Sequence, residues 1–209
     1  MGIAHRPLGI AALASGLALL TVPASAQSVT LFPAQLSEAN IDALFGQQTP
    51  VPAETTAIPL PGINGNAVLH SRVIRAASGS RAEGRFAYEY RVDLSNATTF
   101  VDSSCVVNLS VKFGPIEKLP YAPSSLRDVY EIKQGVPSNQ VGFSGATQTG
   151  ELVTFTFERP VCAATDTTPG DTTFAFGLAS RDASDRGVTV QIDAIGLDDM
   201  RTKSSGPIR

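Results

Sequence analysis

The stretch GRFAYEYRVDL, residues 84–94, decides how the fold is read. Phe86, Tyr88, Tyr90, Val92 and Leu94 fall at every second position. Arg85, Glu89, Arg91 and Asp93 fall between them, with Ala87. Successive side chains of an extended strand point to opposite faces, so this alternation places one face in a core and the other toward water. A half-buried strand of an antiparallel sheet is expected.

The pattern recurs on both sides of this stretch. In CVVNLSVKF, residues 105–113, Val107, Leu109, Val111 and Phe113 share a parity with Cys105, and Asn108, Ser110 and Lys112 oppose them. ELVTFTFER (151–159) sends Val153, Phe155 and Phe157 inward. TTFAFGLASR (172–181) does the same with Phe174, Phe176 and Leu178, and GVTVQI (187–192) with Val188, Val190 and Ile192. NAVLHSRVIRA (66–76) and DVYEIKQ (128–134) are weaker strands. Clusters of Gly, Pro, Ser and Asp separate the runs as turns. Short alternating strands between turn signals predict an all-β protein, an antiparallel β-sandwich of jelly-roll or Ig-like type.

The N-terminal part reads differently. SVTLF (28–32) suits a short strand. SEANIDALFG (37–46) predicts a short helix with Ser37 as N-cap, Glu38 and Asp42 near the positive end of its dipole, and Gly46 as the stop. Ile41, Leu44 and Phe45 share one helical face. Pro50, Pro52, Pro59 and Pro61 then predict an extended Pro-rich connector with no regular element. The expected divisions are an export signal over 1–26, an N-terminal segment over 27–65, the sandwich over 66–200 and a polar tail over 201–209.

The export signal rests on three features. His5 and Arg6 precede an uncharged apolar run over residues 9–22, and PASA (23–26) supplies small residues at Ala24 and Ala26. The run is shorter than the roughly 20 residues that span a bilayer, so cleavage after Ala26 is expected, with a secreted or periplasmic product and no membrane span after signal removal. The formal net charge of −3 argues against nucleic acid as a partner, which favours a basic patch.

Cys105 and Cys162 are the only cysteines. An exported chain with two cysteines predicts a disulfide. Zinc needs about four ligands, and the two lie too far apart in sequence for a C-x-x-C redox motif. The bond is expected to stabilise by about 4 kcal/mol through the entropy of the unfolded chain, with Cα atoms about 4.4–6.8 Å apart. It can join the two sheets or two strands of one sheet. Cys105 is expected to face inward with its neighbours of like parity, and Pro160 to end the pairing before Cys162.

The candidates for chemistry are few. His70 is the one histidine beyond the signal, so any Ser-His-Asp site must use it; it sits in a strand and reads as a sheet-face residue. GFSGA (142–146) departs from G-x-S-x-G at Ala146 and lacks the strand-turn-helix setting. Glu89, Asp93, Glu131, Glu151 and Glu158 lie in or beside strands, where two facing carboxylates would suit glycoside hydrolysis. Asp166, Asp171, Asp182 and Asp185 occupy turn-like loops and are the candidate calcium ligands, although no EF-hand spacing is present. Tyr121 and Tyr130 are the tyrosines expected to be exposed, hence the candidate ligand-binding platforms. No cofactor motif occurs. The expectation is an exported, non-enzymatic β-sandwich that binds or assembles at the cell surface or outside the cell, with a protein or glycan as ligand. Its rivals are a carboxylate-dependent glycoside hydrolase and an envelope accessory protein that docks through residues 28–46.

Overall fold

A computed structural model describes residues 26–46, 53–99, 104–122, 125–133, 139–181, 188–195 and 197–204. In chain order its strands are β1 (Ser28–Leu31), β2 (Pro33–Leu36), β3 (Glu54–Ala57), β4 (Ile63–Arg75), β5 (Phe86–Thr99), β6 (Cys105–Lys112), β7 (Leu119–Ala122), β8 (Ser125–Arg127), β9 (Val129–Ile132), β10 (Gln140–Val141), β11 (Phe143–Thr149), β12 (Leu152–Cys162), β13 (Thr172–Thr173), β14 (Ala175–Ser180), β15 (Val188–Ala194) and β16 (Leu197–Ser204). One helix, α1 (Glu38–Phe45), lies between β2 and β3.

The strands form an all-β sandwich. Sheet A runs β1-β11-β12-β6-β15-β16. In sheet B, β5 pairs with β4 on one side and with β13 and β14 on the other; β14 continues to β9, and β9 to β2. The alternating residues meet between the sheets. Tyr88, Tyr90, Val92 and Leu94 of β5 pack with Leu109 and Val111 of β6, Val153 and Phe155 of β12, and Phe176 of β14. Phe176 stands at the centre, with ring centroids 4.8 Å from Phe155 and 5.8 Å from Phe157. A buried Phe of this kind contributes roughly 1.5–3 kcal/mol through the water it sheds.

The outer face of sheet B carries a second core. Helix α1 lays Ile41, Leu44 and Phe45 over Ile74, Ala87 and Ala179, and Leu119 and Tyr121 of β7 join them. The helix forms where its cap residues are. The Ser37 hydroxyl accepts from the Asn40 amide at 3.3 Å, the Asn40 side chain accepts from the Ser37 amide at 3.0 Å, and Gly46 ends it at φ 86°. A helix of eight residues gains little alone, so its apolar face must be buried to hold it.

β1, β2 and β3 therefore belong to the sheets: β1 is the edge of sheet A, β2 an edge of sheet B, and β3 pairs with β4. Glu54–Ala57 pairs with β4 between the prolines, where no regular element was expected. Pro59 and Pro61 stay outside strands, while Pro50 and Pro52 fall outside the described residues. At the other end, β16 extends to Ser204 and pairs with β15, so the expected polar tail begins as a strand.

Cys105 and Cys162 are bonded, with Cα atoms 4.0 Å apart. The bond lies within sheet A, between directly paired residues of β6 and β12. The Ala163 amide donates to the Ser104 carbonyl at 3.0 Å, which makes the cysteines a non-hydrogen-bonded pair. Such pairs bring Cα atoms to about 4.5 Å, which explains a separation below the expected range.

Three parity expectations are corrected here. The register of β6 shifts between Val106 and Asn108, so Val106 enters the core, Val107 is half-buried, and Cys105 is buried outside the core cluster. Pro160 does not end β12: it sits in the irregular stretch between Thr156 and Val161, and pairing resumes at Val161. A proline has no amide to donate and is tolerated at such a bulge. Phe174 is half-buried at the break between β13 and β14, and Thr173 is buried in its place.

Candidate functional site

On the outer face of sheet B, beside the first residue of α1, outward residues of β4 and β5 line a cleft of about 210 Å³. The ladder fixes its charged groups: Arg72 pairs with Glu89, and His70 with Arg91. Glu38, the first residue of α1, stands at its rim. The outward parity that sequence assigns to Glu89, Arg91 and Asp93 holds, yet Glu89 is buried at 3% exposure because the second core closes beside it.

The charges are held in pairs. The Arg72 guanidinium forms an ion pair with Glu89 through Nε and Oε2. The Tyr130 hydroxyl donates to Glu89 Oε1 at 3.4 Å. Burial pushes the Glu89 carboxyl above its ordinary range, against the opposing pull of Arg72 and Tyr130. His70 has its Nε2 3.5 Å from Asp93 Oδ2 and its Nδ1 3.3 Å from the Thr55 hydroxyl. Asp93 accepts from the Ser95 amide at 2.9 Å and hydroxyl at 2.6 Å. Partial burial raises its carboxyl, but these bonds, with Arg91 and His70, outweigh that and hold it below the usual range. The Arg91 Nε has no partner among the described residues.

Thr55, His70 and Asp93 stand in the order of a hydroxyl, a base and an orienting carboxylate. Both links are long for hydrogen bonds, and Asp93 is already engaged by Ser95. The arrangement holds the imidazole in place between Thr55 and Asp93.

The five carboxylates singled out in the sequence go to different places. Glu89 lines the cleft and Asp93 stands beside its His70 and Arg91, while Glu151 is 3.3 Å from Lys112. Glu131 and Glu158, from different sheets, come together around Gly142. A Cβ on that glycine would lie 2.8 Å from Glu131 Oε1 and 3.0 Å from Glu158 Oε1, so a larger residue would displace the two carboxylates from this position. Glu131 is buried and accepts from the Phe143 amide at 3.0 Å. Burial raises its carboxyl, the Phe143 amide and Lys133 oppose this, and Glu158 adds to the rise.

The loop aspartates separate as well. Both oxygens of Asp171 are taken by Arg159, at 2.7 and 2.9 Å, and Oδ2 also accepts from the Cys162 amide at 3.0 Å. Its role is to brace the strand end beside the disulfide. Asp166 is exposed in its loop. Asp182 and Asp185 lie outside the described residues. Among the described residues no group of three or more His, Cys, Asp or Glu is placed to hold a metal ion. Ser144 of GFSGA lies on β11 and donates to the Thr156 carbonyl at 3.1 Å.

Tyr121 and Tyr130 are not exposed platforms. They are 6% and 0% exposed, with ring centroids 5.1 Å apart, because α1 and β7 cover the face on which they lie. The signal that was present for the cleft was the outward charges of residues 85–93. The partner strand, and the buried Tyr130 behind Glu89, were not legible. No protein-family model, curated protein or solved structure matches the chain.

Proposed function

We propose that the chain is exported and acts as a β-sandwich binding module without catalysis, taking a glycan or protein ligand at the cleft beside helix α1. The observation that carries this is the pairing of the cleft's charges: Arg72 is held by Glu89, which also accepts from the Tyr130 hydroxyl, and His70 is held by Asp93 and Thr55. Polar groups fixed in advance bind with little ordering cost. Arg91 lines the cleft with its side chain 43% exposed and its outer nitrogen Nη2 3.7 Å from Asp93 Oδ2, so its guanidinium is the group a ligand can reach. Export is supported by the signal pattern over residues 1–26 and by the disulfide, which persists in oxidising compartments. The acidic balance supports a partner other than nucleic acid. Among the described residues no helix is long and apolar enough to cross a membrane.

The test is a screen against immobilised neutral and charged glycans with wild type and Arg91→Ala. A ligand whose affinity falls roughly tenfold in the variant, with an unchanged melting temperature, is expected. A screen in which no bound ligand is weakened by Arg91→Ala, or chemical turnover of the ligand, overturns the reading. Intact mass of exported protein should begin at Gln27; retention of Met1 counts against export by cleavage.

The Glu131–Glu158 juxtaposition favours a second reading, a carboxylate-dependent glycoside hydrolase. A raised carboxyl beside an exposed one suits the acid and the nucleophile or base of that reaction. Glycoside hydrolysis lost in both Glu131→Gln and Glu158→Gln would replace the binding reading. Docking through residues 28–46 would have to use Val29 and Phe32, at 55% and 57% exposure, because the apolar face of α1 is buried against this chain's own sheet.

A further inference from the structure

A second cleft, of about 490 Å³, opens at the end of sheet B where β4 turns into β5. Its volume falls in the range of ordinary ligand clefts, about 300–1,000 Å³. Arg75, Ser78, Glu83 and Arg85 form its polar walls, and Ala76 and Phe86 its apolar part. The ladder places Arg75 beside Phe86, and Phe86 beside Ser180, so the end of β14 adjoins the same region.

The region is electropositive on an acidic chain. Arg85 Nε lies 3.5 Å from Glu117 Oε2, and Arg181 Nε lies 3.0 Å from Glu117 Oε1. Arg81 donates to the Pro120 carbonyl at 3.1 Å. Four arginines thus gather against Glu83 and Glu117, in a protein of net charge −3. Arg75 is exposed and makes no side-chain hydrogen bond or ion pair among the described residues. Glu83 is built in: it accepts from the Ser78 hydroxyl at 2.9 Å and the Gly79 amide at 3.0 Å, which hold its carboxyl below the ordinary range.

These groups select a ligand. Two guanidinium groups attract an anion, and Arg matches a carboxylate with paired N–H donors. The fixed negative charge of Glu83 in the same cleft opposes a multiply charged anion, but its oxygens have lone pairs left for hydroxyl donors. Phe86 packs on one side against the inner core and lines the cleft with its remaining half-buried surface, which is apolar. A single negative charge, several hydroxyls and one apolar face describe a carboxylated sugar. We propose that this end of sheet B binds a uronic-acid type sugar, with Arg75 and Arg85 on its carboxylate, Glu83 on its hydroxyls and Phe86 under its ring. The site is separate from the cleft at Arg91 and does not depend on it.

The test is calorimetric titration of the exported protein with oligogalacturonate, with its neutral methyl ester and with inorganic sulfate. Oligogalacturonate is expected to bind, and the ester to bind roughly tenfold more weakly or not at all. Arg75→Gln removes an unpaired, exposed cation, so its melting temperature should equal the wild type while oligogalacturonate binding falls roughly tenfold. Glu83→Gln should weaken the sugar and strengthen sulfate. No binding of oligogalacturonate by the wild type, equal binding by Arg75→Gln at unchanged stability, or sulfate bound more tightly than the sugar by the wild type would each overturn the proposal.

Discussion

The inner face of sheet B, which meets sheet A, and its outer face, which meets α1 and β7, are built from alternate residues of the same strands. On β5 the inner set is Tyr88, Tyr90, Val92 and Leu94, all 0–1% exposed. The outer set is Ala87, Glu89, Arg91 and Asp93. The inner face packs aromatics ring against ring, with Phe176 touching Tyr90, Phe143, Phe155 and Phe157. The outer face uses alanines, Ala76, Ala82, Ala87 and Ala179, so that one short helix can lie close. Beyond the helix the outer face holds charges, and these must be paired, because an isolated buried charge costs several kcal/mol. One strand thus serves a core on one side and a polar cleft on the other. The inner face supplies stability through area, and the outer face places specific groups.

The comparison makes ordered expectations. Phe176→Ala, at the centre of the inner core, should cost about 3–5 kcal/mol. Urea unfolding that showed a loss no larger than that of Leu44→Ala, under the helix, would erase the distinction between the two cores. The disulfide lies at the far end of sheet A, on neither face of sheet B. Cys105→Ala with Cys162→Ala should cost about 2–5 kcal/mol and leave both clefts intact, so thermal unfolding should shift while ligand binding does not. A lost cleft would show that the bond reaches the site.

Smaller effects test the outer face. Arg72→Ala leaves Glu89 buried without its partner, but Arg72 is itself 36% exposed at its side chain. The expected cost is about 1–3 kcal/mol at neutral pH. The double change Arg72→Ala, Glu89→Gln should recover part of it, and a double-mutant cycle with no coupling would mean the pair is solvated. The smallest effect is a pH dependence at Glu131. Its folded carboxyl is raised, so the folded state keeps the proton longer than the unfolded one. The resulting stabilisation is present below the unfolded value, about 4.3, and is lost as pH rises through the folded value. Wild type should therefore lose stability relative to Glu131→Gln as pH rises above about 4. Parallel pH profiles of the two proteins would place Glu131 in water.

How much of this was legible follows from which interactions are local. The alternation in residues 86–94 and 151–157 is a property of the extended backbone, and it marked the inner core residue by residue. The helix at Glu38–Phe45 was legible from its cap, because Ser37 and Asn40 bond three positions apart. The cysteine pairing was legible from the count of two and the export pattern expected over residues 1–26. The candidate site was legible only in part: Glu89, Arg91 and Asp93 showed as an outward charged set, but neither the burial of Glu89 nor its Tyr130 partner did. Tyr130 read as exposed because its own four-residue strand gives no sign of the cover that α1 and β7 provide.

The sequence by itself determined the strand class, the inner face, the helix and the disulfide, because period, capping and cysteine count act over a few residues or need no geometry. Tertiary structure alone decided which strands are neighbours, where the bulges at Val107 and Pro160 reset the parity, and which outward charges are buried. Backbone hydrogen bonds between strands are nearly indifferent to side-chain identity, so pairing order is set by the packing of the whole chain. The contacts that follow from it are long-range: the Phe32 amide donates to Asp128 across 96 positions, and Tyr130 reaches Glu89 across 41. The juxtaposition of Glu131 with Glu158, and the gathering of Arg75, Arg85 and Arg181 at one end of sheet B, arise in the same way, from strands that no local pattern says will meet.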